Sequence, residues 1–197
     1  MDSSERKAER REGRKAASME AKDWIAAGLD ALAKEGVSGL QVETLARKIG
    51  ITKGSFYWHF KDRNDFHQAI LESWSEETLP NVIAPPSENM GPLERLKKLV
   101  GLPFGAPLTR LSTLESAVRV WGLQDRRARS AIRALDNLRI QQITRMFEDR
   151  GLEPLEARGR AIITYSYIRM SRVLLDRDDL DTIAVCERLV LESCPDD

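Results

Sequence analysis

The chain has 197 residues, and its 31 Lys/Arg are balanced by 31 Asp/Glu, so overall charge gives no argument for or against a nucleic-acid partner. Hydrophobic residues at 42% suffice for a core, and a mean hydropathy of −0.41 is ordinary for a soluble chain. No apolar run approaches the roughly 18 residues a membrane helix needs, and the charged opening MDSSERKAERREGRKAA is no signal peptide, so a cytoplasmic protein without a membrane partner is expected.

Residues 1–17 read as a flexible basic arm. Its cations are Arg6, Lys7, Arg10, Arg11, Arg14 and Lys15, diluted by Glu5, Glu9 and Glu12. That pattern fits a solvated surface, or an arm that follows phosphates or enters a minor groove. A first helix is expected from Ser18 to Glu35. Ile25, Gly28, Leu29 and Leu32 form its buried stripe, with Gly28 marking a close helix–helix contact.

The next stretch, Gln41 to Arg63, carries the strongest signal in the chain. Val42 to Ile49 forms a short helix with Leu45, Ala46 and Ile49 inward. Gly50 suits a left-handed cap. Thr52 stands at the N-cap of a second short helix, and Lys53, Gly54 and Ser55 make its first turn. Five consecutive side chains spread around a whole helix circumference, at about 100° each. Phe56 and Phe60 can therefore face inward while Ser55, Tyr57, Trp58 and His59 point elsewhere. Two short helices joined by a tight glycine turn, the second opening on small polar residues, are the helix-turn-helix plan. Backbone amides at such a helix start can hold phosphates. The charge is focused in the same place. Residues 1–70 carry 13 basic against 11 acidic residues, only +2, yet Arg47, Lys48, Lys53, Lys61 and Arg63 face a single acid, Asp62, between residues 47 and 63.

Asp62 and Asp65 can cap a further helix to Leu79, with Phe66, Ile70 and Trp74 on one side and Pro80 ending it. The run from Pro80 to Pro92 holds four prolines and reads as a linker, which puts a domain boundary near residue 80. A short helix from Leu93 to Val100 precedes a second break at GLPFGAP. Leu108 to Leu123 is helical, with Leu111, Leu114, Val118 and Trp121 on one face. Asp125 caps a long helix, Arg126 to Arg150, that buries Ile132, Leu135, Ile143, Met146 and Phe147 and stops at Gly151. The last two helices, Leu155 to Leu175 and Leu180 to Cys194, are rich in Ile, Val and Leu, as expected of a four-helix interface between two copies of the chain.

The segment Gly36 to Phe66, GVSGLQVETLARKIGITKGSFYWHFKDRNDF, resembles the DNA-binding domain of the tetracycline-repressor (TetR) family. Gly36, Leu45-Ala46, Gly50-Ile51 and the run Ser55-Phe56-Tyr57-Trp58-His59-Phe60 with Arg63 carry the likeness. Residues 118–136 also look like a C-terminal region found in some of these regulators. The resemblance implies an all-α protein, with an N-terminal three-helix helix-turn-helix DNA-binding domain (residues 18–79 with its connecting helix) joined to a C-terminal helical ligand-binding and dimerisation domain (80–197). It implies a homodimeric repressor of transcription, bound to double-stranded operator DNA and released by a small-molecule effector. It also implies that Tyr57 and His59 contact phosphates.

Motif and resemblance together nominate Gln41, Thr44, Thr52, Lys53, Gly54, Ser55, Tyr57, Trp58, His59 and Arg63 as DNA-binding residues. Gln41 is a poorer cap than the family's usual Thr. Glu43 faces solvent or accepts from a cytosine amine. For an effector pocket the candidate lining residues are Trp74, Phe104, Trp121, Phe147, Tyr165, Tyr167 and Met170, with Arg119 or Arg169 as a polar anchor, against the alternative of ordinary core packing. The only histidines are His59 and His67, and no nucleophile motif, Walker loop, dinucleotide fingerprint or Cys/His cluster is present. No enzyme, cofactor or metal site is therefore expected, and Cys186 and Cys194 read as idle thiols. The alternative function is a ligand-independent or architectural DNA-binding protein.

Overall fold

The computed structural model describes residues 20–83, 90–105 and 109–191. The arm 1–17, the central part of the proline-rich linker and Cys194 lie outside these residues. Within them every regular element is helical. We number the α-helices α1 (Ala21–Glu35), α2 (Val42–Ile49), α3 (Lys53–His59), α4 (Arg63–Ile83), α5 (Pro92–Gly105), α6 (Arg110–Trp121), α7 (Arg126–Glu148), α8 (Pro154–Leu174) and α9 (Leu180–Leu191), with a 3-10 turn, Gly36–Leu40, after α1.

The chain forms two compact units, Met1–Leu79 with Thr109–Arg133, and Pro80–Leu108 with Ala134–Asp197. A division at residue 80 alone would separate α6 from the N-terminal helices. The structure instead packs α6 on α1 and the 3-10 turn, burying Leu114, Val118 and Trp121.

The core of the first unit is aromatic. Phe56 of α3 stands at its centre, its ring centroid 5.3 Å from Trp24 of α1, 5.3 Å from Phe66 of α4 and 5.2 Å from Phe60. The Trp24 and Phe66 contacts are edge-to-face, the arrangement ring quadrupoles favour. Leu29, Leu32, Leu40, Leu45, Ile70 and Trp74 close the shell. Ile25, expected inside, is only half-buried, and Trp24 beside it takes the place. Gly28 makes the close approach its sequence position predicts. A Cβ there would lie 2.4 Å from Ile70 Cδ1 and 2.8 Å from Phe66 Cζ.

Two helix ends differ from the sequence reading. Pro80 does not end α4, which continues to Ile83 although Pro80 has no amide to donate. GLPFGAP does not break α5 at Gly101. The helix runs through Pro103 to Gly105, because Leu96, Val100 and Pro103 fall on one face and are buried together. Its last carbonyls are not orphaned, since Arg172 Nε donates to Pro103 O and Arg177 Nη2 to Phe104 O at 3.1 Å.

The core of the second unit joins Leu96 of α5, Ile143 and Phe147 of α7, Leu152, and Ala157, Ala161 and Tyr165 of α8. Gly151, at φ 85, makes the turn that only glycine takes without strain. Tyr165 Oη donates to Asp136 Oδ1 at 2.6 Å, and burial pushes the phenol above its ordinary pKa. On α8, Ile163, Met170 and Leu174 fall at i, i+7 and i+11 and form an exposed apolar stripe, which α9 continues with exposed Leu180, Val185 and Leu189.

Candidate nucleic-acid interface

The α2–α3 corner is built from backbone geometry. Gly50 is left-handed at φ 73, ψ 40, and its amide donates to Ala46 O. The amide of Ile51 donates to the same carbonyl at 3.0 Å. Thr52 then takes the extended N-cap conformation, φ −85 and ψ 152. Its hydroxyl makes no cap bond, and neither does the Gln41 amide at the start of α2. Both short helices thus begin without a side chain on their first amides.

With Phe56 and Phe60 locked inward, the rest of α3 faces out. Tyr57 is 64% exposed and Trp58 is 88% exposed, the most exposed large apolar side chain among the described residues. Gln41, Thr52, Lys53, Gly54, His59 and Arg63 are exposed, and Thr44 is half-buried. Ser55 is the exception. Its side chain is buried, at 7% exposure, beside Phe56 on the inner half of the helix. Only its backbone stands at the helix start, and its amide donates to Thr52 O at 3.2 Å.

Two ion pairs tie this surface together. Lys48 pairs with Glu35 at the end of α1. Lys53 Nζ lies 2.6 Å from Glu43 Oε1 across the corner. The lysine hydrogen bond, with help from Arg63 nearby, holds the Glu43 carboxyl below its ordinary pKa. Glu43 is exposed to solvent, as one of its two expected roles required, and its carboxylate is paired. It faces Lys53.

Behind the surface, the first turn of α4 is fixed on both sides. Asp62 Oδ1 accepts from the amides of Asn64 (2.7 Å) and Asp65 (2.9 Å), which lowers its pKa. Asp65 Oδ2 in turn accepts from the amide of Lys61 at 3.0 Å. From the α6–α7 corner Arg127 donates to Asn64 O at 3.0 Å and to Asp125 Oδ2 at 2.7 Å. Asp125 also accepts from the amide of Arg127, capping α7, and this arginine holds its pKa down to about 2. His67 is buried edge-on against Trp121, centroids 5.0 Å apart, and accepts from Arg63 Nε at 3.4 Å. Burial, then Arg63 and Arg127, lower its pKa to about 4. No periodicity in the sequence singled out His67, because the ring it packs on, Trp121, comes from a helix more than 50 residues away.

The residues nominated for an effector pocket are divided between the two units. Trp74 and Trp121 are buried in the first unit, while Phe147 and Tyr165 belong to the core of the second. Phe104 and Tyr167 are half-buried in the second unit. Met170 is 46% exposed on the outward stripe of α8, because the inward face is taken by Ala157, Ala161 and Tyr165. Of the nominated residues, only Trp121 lines either of two clefts in the first unit. One, of about 330 Å³, lies between α1 and α6. The other, of about 580 Å³, lies between α4 and the start of α7 and is edged by Glu72, Glu76, Arg126 and Arg127.

A buried aromatic anchor, a left-handed glycine corner and a short helix with its polar side chains outward define a helix-turn-helix protein. Residues 25–70 match the family described as "Bacterial regulatory proteins, tetR family". Residues 25–70 thus carry a DNA-binding domain of the TetR type. It is 41% identical over 49 residues to the HTH-type transcriptional regulator SrpR of Pseudomonas putida, covering 25% of this chain and 23% of that protein. It is 36% identical over 53 residues to the class A tetracycline repressor protein from transposon 1721 of Escherichia coli, covering 27% and 24%. These matches span about a quarter of the curated relatives' length. Beyond that segment the likeness is one of fold. A transcriptional regulator from Rhodococcus sp. Rha1 superposes with a TM-score of 0.65 over 89% of this chain and 96% of its own, at 16% identity.

Proposed function

We propose that the protein is a sequence-specific DNA-binding repressor of transcription that acts as a homodimer. The observation that carries this is α3, where Phe56 fixes the helix from inside and Lys53, Gly54, Tyr57, Trp58 and His59 are presented outside. Lys53 and Gln41 are placed for base edges, and the hydroxyl, indole, imidazole and guanidinium of Thr52, Tyr57, Trp58, His59 and Arg63 for the phosphate backbone, with Thr44 at the margin. Gly54 leaves room for a strand to approach. Ser55, buried and with its amide bonded to Thr52 O, supports the helix start.

Support for the dimer comes from the exposed apolar stripe of α8 and α9. Two copies joined there would offer two α3 helices to successive major grooves about 34–36 Å apart. A small-molecule effector would release DNA by binding the state with the wrong spacing more tightly. A second reading, DNA binding without an effector, is favoured by the burial of Trp74, Phe147 and Tyr165.

The test is selection of bound duplexes from a random pool by the full chain. A palindromic motif with half-sites one helical turn apart is expected. A pool that never enriches, with no salt-dependent binding to any duplex, would sink the reading.

A further inference from the structure

Glu43 is an exposed acid on a surface that also carries Lys48, Lys53 and Arg63. It stands in the first turn of α2, and Lys53 opens α3, ten residues on. The contact between them is 2.6 Å, and their side chains are 62% and 56% exposed. A pair this open to water is weak and salt-screened, so an incoming phosphate can take the ammonium over. The same carboxylate feels the charge of Arg63, so it sits among the cations nominated for DNA.

We propose that Glu43 is a positioning and specificity-determining residue, which holds Lys53 on the reading face and competes with phosphate for it. This rests on the DNA-binding reading above. Two consequences follow from the geometry. Lysine has a long, freely rotating stem, and the carboxylate restricts where its ammonium points. Non-specific affinity comes almost wholly from phosphates neutralised by cations, so an acid that occupies Lys53 weakens it. On the right sequence Lys53 gains a base acceptor and the carboxylate can accept from a cytosine amine, so less is lost there. The pair thus raises the ratio of specific to non-specific binding, at the cost of total affinity.

The experiment compares wild type, Glu43→Gln, Glu43→Asp, Lys53→Ala and the double variant Glu43→Gln/Lys53→Ala. Each full-length protein is titrated across salt with two duplexes, one enriched from the random pool and one unrelated of equal length. Glu43→Gln should bind the unrelated duplex roughly three- to tenfold more tightly near 0.1 M salt and steepen its salt slope by about 0.9, one extra phosphate. The enriched duplex should gain less, so discrimination falls. Glu43→Asp, which keeps the charge, should restore discrimination towards wild type. On the Lys53→Ala background the Glu43→Gln slope change should vanish. An unchanged affinity and slope in Glu43→Gln overturns the proposal, as does an effect of full size without Lys53. In both cases wild type still binds its enriched duplex, so the DNA-binding reading stands. A wild type that binds no duplex takes both down.

Discussion

Gly54 offers a test that separates folding from the proposed recognition. A Cβ at this position would meet only Thr52 Oγ1, at 3.7 Å, which is ordinary contact. Alanine is also the better helix former by up to about 1 kcal/mol. Gly54→Ala should therefore leave thermal stability equal or slightly higher. If a DNA strand lies against α3, the added methyl should still weaken binding by tenfold or more, as read by fluorescence anisotropy beside a melting curve. Tyr57 and Lys53 divide the work differently. Tyr57→Phe removes a hydroxyl placed for phosphate and should weaken all duplexes alike. Lys53→Ala should also flatten the preference among base substitutions in the enriched site, by about 1–3 kcal/mol at the affected position. The outward placing of Tyr57 and His59 was legible in the sequence, because 100° per residue leaves little choice once Phe56 and Phe60 face in. Ser55 was not. It neighbours Phe56 on the inner half, and its burial depends on how closely α3 seats in the unit.

Among the elements, the α1–α4 contact is the tightest that can be probed by a single methyl. Gly28→Ala gains helix propensity but drives a carbon to 2.4 Å from Ile70 Cδ1 and 2.8 Å from Phe66 Cζ. Overpacking usually costs about 1–3 kcal/mol, so a net loss of about 1 kcal/mol is expected. Ile70→Val removes the offending Cδ1, and in a double-mutant cycle it should recover most of the Gly28→Ala loss. Chemical denaturation of the four proteins reads this directly, and strict additivity would argue against the contact. The start of α4 gives a second, pH-dependent handle. His67 has a pKa of about 4 in the folded chain against an ordinary 6.5. Between these values the unfolded chain binds the proton and the folded chain does not. The His67 contribution is then complete above about pH 6.5 and is lost as pH falls towards 4, at up to about 1.4 kcal/mol per pH unit. His67→Gln should flatten the fall in Tm between pH 6.5 and 5, where most carboxylates remain ionised. An equally steep fall in the variant would exclude His67 as its source.

Helix ends were the least legible feature at this scale. Apolar spacing located the α-helices of the described residues, but Pro80, Gly101 and Pro103 looked like stops. Local propensity disfavours helix at each of them, yet α4 and α5 run through, and in α5 burial of Leu96, Val100 and Pro103 on one face outweighs that bias. Trp24 and His67 were missed for the same reason, since the groups that bury them come from distant sequence.

For the molecule as a whole, the outward stripe of α8 and α9 is the surface on which the proposed second copy would pack. If a second copy does, Leu174→Glu should convert a dimer into a monomer by sedimentation, with helix content unchanged. Affinity for the full enriched site should then fall to that for a half-site. A variant that stays dimeric would place the contact elsewhere. The division of the chain was only partly legible. Proline content pointed to residue 80, while α6 and the start of α7 return to the first unit through Trp121, Asp125 and Arg127, whose partners His67 and Asn64 lie over 50 residues back.

The interleaving of α3 has a consequence for redesign. Its anchor, Phe56, sits directly before Tyr57, Trp58 and His59, and none of those three is needed to fill the core. The proposed recognition and the folding are thus encoded one position apart with little shared side-chain volume. Such a helix can be re-addressed: a library varied at residues 53, 54, 57, 58 and 59 should stay mostly folded, and new target sequences can be sought without rebuilding the scaffold.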